Sequence, residues 1–351
     1  MRRRRLRGRP GCVKKPAAVA AVTSPGEPGV ILSGGPRDMS TSTSDMLGGG
    51  TEPSSRSQRL RADGALALIT SFWGITFVVV KDALGHGDPF SFLTLRFIVG
   101  AVVLSVLAGR QVLIARNLRI GSMLGTFLFL GFSLQTVGLT TTTPSRSAFI
   151  TGLCVLLVPL LSMVLYRKAP KFTSLLGVGV AAVGLYFFTQ PDGGLGSGGL
   201  SSGDVLSLGG AVAYACHILM TERHAPKQGV MGLVAVQLWT VALLSALCLP
   251  FVERRVAWHP SFVGAVLVCG VFASAVAISL QTWGQARTTA VRAALIYSLE
   301  SVFAALYSVL LGYETLGPRE WLGGALILSG VLMSEVGAAA WVWWRARAPA
   351  R

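Results

Sequence analysis

The 351-residue sequence is poor in charged residues and in residues that build metal or redox sites. Only 13% of its residues are Asp, Glu, Lys or Arg, whereas soluble globular chains have about a quarter. Its five cysteines are scattered and its four histidines show no zinc-site spacing with them. These absences argue against a disulfide framework and a resident metal, and no cofactor is expected.

The sequence also lacks the motif G-x-x-x-x-G-K-[ST], which cradles the phosphates of ATP in many ATPases. The chain is therefore not expected to contain an ATPase site of this type. An enzyme embedded in the membrane would need clustered His, Asp or Glu at the membrane face. The four histidines are too far apart in the sequence to indicate such a cluster. They are His86, His217, His224 and His259.

Apolar residues make up 52% of the chain, and its mean hydropathy is +0.61. The net charge of +16 is placed as in membrane proteins, because 12 of the 31 Lys and Arg residues lie in the first 62 positions. Most of the others lie in short gaps between apolar runs, so nucleic acid is not an expected partner. The lipid bilayer is an expected partner, and anionic lipids are expected at the basic cytoplasmic loops.

Ten apolar runs of roughly twenty residues predict an all-α integral membrane protein, since this is the length of helix that crosses the hydrocarbon layer. Before them, residues 1–62 are rich in Arg, Pro, Gly and Ser and predict a disordered basic cytoplasmic tail. Residues 341–351 predict a second, short basic tail. The predicted spans are 64–81, 89–108, 119–139, 147–166, 172–189, 204–222, 230–252, 261–280, 291–312 and 318–340.

Basic residues in the gaps predict the orientation of the spans. With the N-terminal tail inside, thirteen basic residues fall on the cytoplasmic side and five on the other, so both termini of this multi-pass cell-membrane protein are expected in the cytoplasm. The five are Lys81, Arg146, Arg254, Arg255 and Arg319. The thirteen are Arg110, Arg116, Arg119, Arg167, Lys168, Lys171, Arg223, Lys227, Arg287, Arg292, Arg345, Arg347 and Arg351.

An internal repeat divides the spans into two sets of five. The segment Ser133–Gly184 aligns without a gap on Ser279–Gly330 and is identical at 17 of 52 positions, against about a tenth expected from composition. Upstream, a different offset pairs Trp73 with Tyr214, with little identity around them. The predicted units are 63–190 and 203–340.

Five spans per unit is an odd number, so a copy of the unit must enter the membrane from the opposite side. Two such inverted halves are typical of secondary carriers that work by alternating access, with a solute site at their interface. Duplication kept only for helix packing is the alternative.

The segments WGITFVVVK (73–81), LRF (95–97), LGFSLQTVGLTTTTPSRSAFITGL (130–153) and YSLESVFAALYSVLLGYETLGPREWLGGALILSG (297–330) resemble the EamA-type family of the drug/metabolite transporter superfamily. The resemblance covers about residues 64–340. It implies ten-helix secondary carriers, often exporters of amino acids or other small metabolites, with a central cavity between the halves. One departure is Ser301, where many relatives carry Pro after the Glu, so the kink expected there is absent.

Two ionisable residues lie deep in predicted spans. Arg96 in the second span should face the bundle interior or an aqueous cavity, where it either attracts a substrate carboxylate or fixes helix packing. Glu300, in the middle of the ninth span, either exchanges a proton that couples transport or neutralises an interior donor such as Arg96.

Further candidates are uncharged. Gln135 and Gln281 occupy equivalent positions of the repeat and either gate the pathway or bond neighbouring helices. Aromatic and polar residues at mid-depth are candidates for the wall of a substrate cavity, with helix packing as the alternative reading. They are Trp73, Tyr214, His217, Gln237 and Trp239.

The sequence thus favours a secondary transporter that exports small metabolites such as amino acids. An integral-membrane enzyme and a non-transporting membrane adaptor stay open as alternatives. A homodimer also stays open. Substrate identity, coupling ion and direction are not fixed by any residue pattern in the chain.

Overall fold

The computed structural model describes residues 56–167, 172–189, 201–253 and 255–347. Most of the predicted N-terminal tail, the loop residues Lys168 and Lys171, Arg254, and the C-terminal residues 348–351 lie outside this part of the chain. Arg56–Arg61, which we assigned to the tail, instead form the start of the first helix.

The first half of the described chain folds into six helices joined by short turns. The helices α2 and α3 are long and uninterrupted, and the fourth predicted span is broken into α4 and α5 at Leu153. The helices are α1 (Arg56–Ala83), α2 (Pro89–Ala108), α3 (Ala115–Leu139), α4 (Pro144–Gly152), α5 (Cys154–Tyr166) and α6 (Phe172–Thr189).

The second half has seven helices and two interruptions. A π-helical segment, Cys269–Val276, joins α9 to α10, and the ninth predicted span breaks at Ser298. The helices are α7 (Ser202–His224), α8 (Val230–Cys248), α9 (Pro260–Val268), α10 (Ala277–Gln285), α11 (Ala290–Tyr297), α12 (Leu299–Leu310) and α13 (Pro318–Arg347).

Eight segments of the described residues are long and apolar enough to cross a membrane. They coincide with eight of the ten predicted spans, and each broken span counts once: Pro144–Tyr166, Pro260–Gln285 and Ala290–Leu310. The fifth and tenth predicted spans are also helical, as α6 and α13. The chain is therefore a multi-pass, all-α membrane protein in its described part.

Local sequence signals explain where several helices begin. Asp88 caps α2 by accepting from the Ser91 N–H, and Pro89 follows as first helical residue, where no N–H is needed. Thr143 and Pro144 do the same for α4. The Lys81 ammonium donates to the carbonyl of Leu139 at the C-terminal end of α3, where the helix dipole favours a cation.

The apolar core surrounds Trp73. Its indole packs against each of the three largest clusters of buried apolar side chains, which draw on α1, α2, α5, α7, α8 and α10 among others. On the outside, large apolar residues such as Leu68, Val106 and Leu247 are mostly exposed, as expected where the surroundings are lipid rather than water.

The ninth predicted span is interrupted at Ser298, three residues before the Ser301 position at which the sequence lacks the proline of many relatives. The Ser301 N–H bonds to the carbonyl of Ser298, a tight turn at the start of α12. The Ser301 hydroxyl donates to the carbonyl of Ala148 at 2.8 Å and so joins α12 to α4.

Candidate functional site

A cavity with a mainly apolar wall and a few polar groups lies in the core around Trp73, bordered by α1, α2, α3, α4, α5, α7 and α10 to α12. The volume open to the centres of water molecules is about 80 Å³. At roughly 10–15 Å³ for each ordered water, this is room for about six waters or a solute with a similar number of heavy atoms. The cavity suits a small metabolite.

Seven of the nine predicted site residues line this cavity. They come from spans that are far apart in sequence, and the fold brings them together in the middle of the bundle. They are Trp73, Arg96, Gln135, Tyr214, His217, Gln281 and Glu300.

Arg96 is the cation of the cavity and is only 2% exposed. Its Nε–H donates to the Ser274 hydroxyl at 2.9 Å, and its guanidinium carbon lies 4.8 Å from the ring centre of Phe132 and 5.2 Å from that of Phe97. The two rings and one hydrogen bond fix the guanidinium plane. Among the described residues Arg96 has no further hydrogen-bond partner, so its terminal N–H groups are available to a solute.

Glu300 is the acidic residue of the cavity and lies on the first turn of α12. Within the described chain its carboxylate has neither a hydrogen bond nor an ion pair, and Arg96 is not within ion-pair distance of it. The expectation that Glu300 might simply neutralise Arg96 is therefore not met. A buried carboxylate without a partner is costly unless water, a proton or a solute satisfies it.

Gln135 links three helices on one wall of the cavity. Its amide nitrogen donates to the Thr151 hydroxyl at 3.2 Å, and its amide oxygen accepts from the Tyr214 hydroxyl at 3.1 Å. Tyr214 reaches this position because α3 has a glycine beneath its ring: a Cβ on Gly131 would lie 2.5 Å from the ring. Phe132 packs edge-on against the same ring at 5.5 Å.

The π-helical segment positions both Trp73 and Arg96. The Trp73 indole N–H donates to the carbonyl of Ala273 at 2.9 Å, and the next residue, Ser274, accepts from Arg96. A π-helix shifts the backbone out of the ordinary α-helical register, and such segments are frequent at functional sites. No Gly or Pro pattern predicted this segment.

His217 and Gln237 form a buried pair behind the cavity surface. The His217 Nε2 lies 2.9 Å from the amide oxygen of Gln237, which only accepts, so Nε2 carries the proton. His217 lines the cavity, whereas Gln237 is fully buried and does not border it. Gln237 therefore orients His217 and does not itself contact the cavity.

Trp239 lies apart from the cavity. Its side chain is 40% exposed on the outer surface of α8, and its indole N–H donates to the Ser105 hydroxyl. An indole at mid-depth was expected to line the cavity, but α8 turns this position outward, two residues from Gln237.

Several residues of the cavity wall were not predicted. Tyr297 packs edge-on against Trp73 at 5.8 Å; it ends α11, three residues before Glu300 on α12. In the unbroken helix that the sequence predicts, a spacing of three places both residues on one face, so this spacing was a usable signal. Thr76, Phe132, Thr151 and Cys154 also line the cavity, and nothing in the sequence separates them from other apolar or small residues of the spans.

The architecture and the cavity define a multi-pass membrane protein with a small cavity in its core. A family model described as the EamA-like transporter family matches residues 61–190 and again residues 201–335. The chain therefore belongs to the EamA-like transporter family, and its partners include the lipid bilayer and a small-molecule substrate.

Similar proteins include an uncharacterized transporter of Archaeoglobus fulgidus, 35% identical over 79% of this chain and 86% of that protein. The uncharacterized inner membrane transporter YedA of Escherichia coli is 25% identical over 80% and 92%. A protein of Salmonella typhimurium named as a probable amino-acid metabolite efflux pump is 27% identical over 79% and 96%.

A crystal structure matches with a TM-score of 0.64 and 21% identity, covering 82% of this chain and 99% of that one. This likeness shows that the fold of the described bundle occurs in an experimentally determined protein.

Proposed function

We propose that this transporter exports small zwitterionic metabolites, amino acids in particular, by secondary alternating access and without a catalytic step. The main observation in support of this proposal is that Arg96 and Glu300 border the same cavity without forming an ion pair with each other. An amino acid presents a carboxylate and an ammonium group a few ångströms apart. It would satisfy both side chains at once, which neither a simple anion nor a simple cation does.

The wall of the cavity supports a broad rather than a narrow side-chain preference. Trp73, Phe132, Tyr214 and Tyr297 supply aromatic surface, and apolar pockets discriminate weakly between side chains that differ by a methylene. The name of the Salmonella relative, an amino-acid metabolite efflux pump, points in the same direction.

The proposed alternating access is between two inverted halves of five spans each, the fifth and tenth being α6 and α13. Reciprocal packing of these two helices supports the proposal. A Cβ on Gly184 would lie 2.6 Å from the carbonyl oxygen of Gly323, and a Cβ on Gly330 would lie 2.5 Å from that of Gly177. In the repeat alignment Gly184 corresponds to Gly330 and Gly177 to Gly323, so each contact is the equivalent of the other. A pseudo-two-fold axis between the two helices would produce such a pair of contacts.

We also propose both termini in the cytoplasm, where the basic gaps would meet anionic lipid headgroups.

Flux through proteoliposomes tests the substrate. We expect Arg96→Ala to insert normally and to lower the flux of radiolabelled amino acids by about 10- to 100-fold, because a charge-assisted hydrogen bond to the carboxylate is lost. Amines that lack a carboxylate should be affected far less. The matched control is Arg223→Ala, whose guanidinium lies over the ring of Tyr166 rather than in the cavity. Undiminished amino-acid flux through Arg96→Ala would refute the role of Arg96.

A further inference from the structure

Two ion pairs connect the first half of the chain to the second. Arg146 Nη2, at the start of α4, lies 2.8 Å from Asp204 Oδ2, at the start of α7. Arg292, at the start of α11, makes two bonds to Asp63 of α1, with Nη2 at 2.7 Å from Oδ2 and Nε at 3.2 Å from Oδ1. In each case the first helix of one half is tied to the fourth span of the other.

The two pairs are counterparts in the repeat. Arg146 aligns with Arg292 in the alignment of Ser133–Gly184 on Ser279–Gly330. Asp63 is 141 residues before Asp204, the same separation as between Trp73 and Tyr214. Exchanging the halves therefore turns one ion pair into the other.

The surroundings of the two arginines are also repeated. A threonine lies three residues before each arginine. Its hydroxyl accepts from the backbone N–H of that arginine, at 3.4 Å for Thr143 and 3.3 Å for Thr289. The same helix start presents both guanidinium groups toward the opposite half.

The helix packing beside each aspartate is repeated as well. A Cβ on Gly284 would lie 2.7 Å from a methyl carbon of Leu66, and one on Gly138 would lie 3.1 Å from the hydroxyl of Ser207. Gly138 aligns with Gly284, and Leu66 and Ser207 each follow their aspartate by three residues. Each ion pair thus lies beside a close helix crossing at one end of the bundle.

We propose that these ion pairs are the two gates of the transport pathway. Arg292–Asp63 closes the predicted cytoplasmic end and Arg146–Asp204 closes the predicted outer end, and each must break for the cavity to open to that side. This inference rests on the proposed alternating access. Both ion pairs are formed in the structure, so both gates are closed in it.

The two gates differ in strength. The Asp204 side chain is fully buried, and besides Arg146 it accepts from the Thr142 hydroxyl at 2.8 Å and from the Ser201 N–H at 2.9 Å. The side chain of Arg292 is 49% exposed and that of Asp63 is 17% exposed. A solvent-exposed pair contributes little, whereas removal of one partner from a buried pair is strongly unfavourable. The cytoplasmic gate should therefore open more readily, as an exporter that loads from inside requires.

Cys154 provides a reporter, since it borders the cavity. In full-length protein with Cys12, Cys216, Cys248 and Cys269 replaced by Ala, a membrane-impermeant methanethiosulfonate is added to one side of sealed vesicles at a time. Asp63→Asn should raise the rate of Cys154 labelling from one face about two- to fivefold. Arg146→Gln should raise it from the opposite face by about a hundredfold.

The charge-exchanged double variant Asp63→Arg with Arg292→Asp should return the rate to that of the parent. Glu253→Gln is the matched control, because it breaks an exposed ion pair with Arg255 within one loop and should change neither rate. If Arg146→Gln fails to reach the membrane, Thr142→Val weakens the same gate by removing one hydrogen bond and should give a smaller rise from the same face.

Equal labelling of the Asp63 and Arg146 variants from both faces, or no rise in either, would overturn the assignment of the gates. The assay uses the thiol reagent alone and no substrate. A protein that fails to transport amino acids but passes this test would contradict the proposed substrate and leave the gates in place. The converse result would contradict the gates alone.

Discussion

At the scale of single residues, the two charges of the cavity carry the functional argument. Arg96 is held by Ser274 and two aromatic rings, and Glu300 has no partner among the described side chains. A carboxyl group in this position binds either a proton or a cationic group of the solute. We propose that competition between the two couples transport to the proton gradient.

We expect Glu300→Gln to insert normally and to lose most of the dependence of flux on an imposed pH gradient, because an amide does not exchange a proton in this range. The measurement is counterflow of labelled amino acid in proteoliposomes with and without a gradient. Glu314→Gln is the matched control, since that carboxylate lies beyond the end of α12 and accepts from the Ser145 N–H. A variant at position 300 with the parent's gradient response would remove Glu300 from coupling.

The sequence identified the charged and amide residues of the cavity because polar side chains stand out in apolar runs. It did not separate Trp73 from Trp239, since both lie at mid-span and only the packing of α1 and α8 decides which indole faces inward. Thr151 and Tyr297 were missed for a related reason. Hydroxyl and aromatic residues are common in membrane helices, and their role depends on which neighbour they meet.

At the scale of secondary structure elements, glycines set how closely helices approach. The contact of α6 with α13 uses Gly184 and Gly330, whose missing side chains allow backbone-to-backbone packing. Without a hydrophobic driving force between helices in lipid, such close packing is a main source of their association.

Gly330→Ala should lower the midpoint of thermal unfolding in detergent, because a Cβ there would lie 2.5 Å from a backbone oxygen that cannot turn aside. The expected destabilisation is on the order of 1–3 kcal/mol. Gly179→Ala on α6 is the control, since a Cβ at that position meets nothing within 4 Å. Equal midpoints for the two variants would show that α6 and α13 do not depend on this contact.

Span positions could be predicted from the sequence because lipid requires long apolar helices, and eight predicted spans coincide with helices that meet this requirement. The internal breaks of these spans could not be predicted from the sequence. The interruption at Ser298 lies at residues with no special backbone preference, and Gly152 and Gly270 at the other two breaks are not distinguished in sequence from glycines of unbroken helices such as Gly121 in α3. The breaks arise from contacts between helices, such as those of Ala273 and Ser274 with Trp73 and Arg96.

At the scale of the whole molecule, the paired contacts between the halves unify the proposals. The two glycine contacts of α6 with α13 are equivalent to each other under the repeat. The two Arg–Asp pairs are equivalent to each other in the same way. Two halves with interchangeable contacts have two packings of similar energy, one open to each side, and this is the physical basis of alternating access.

The repeat was visible in the sequence from the end of the third span through the fifth span of each half, where a third of the positions are identical. For the first two spans, sequence identity is low and the counterparts Asp63 and Asp204 did not stand out. Their equivalence becomes apparent from their partners, because Arg146 and Arg292 are aligned and each binds one of them.

The most direct measurement of the central claim is the sidedness of equivalent turns. Thr143 and Thr289 are aligned, are both exposed and both precede the fourth span of their half. Each is replaced by cysteine in a cysteine-free background and treated with an impermeant thiol reagent on sealed vesicles of known orientation. Two inverted halves predict that the reagent reaches Thr143→Cys only from outside and Thr289→Cys only from the cytoplasmic face, whereas modification of both from the same face would contradict the account.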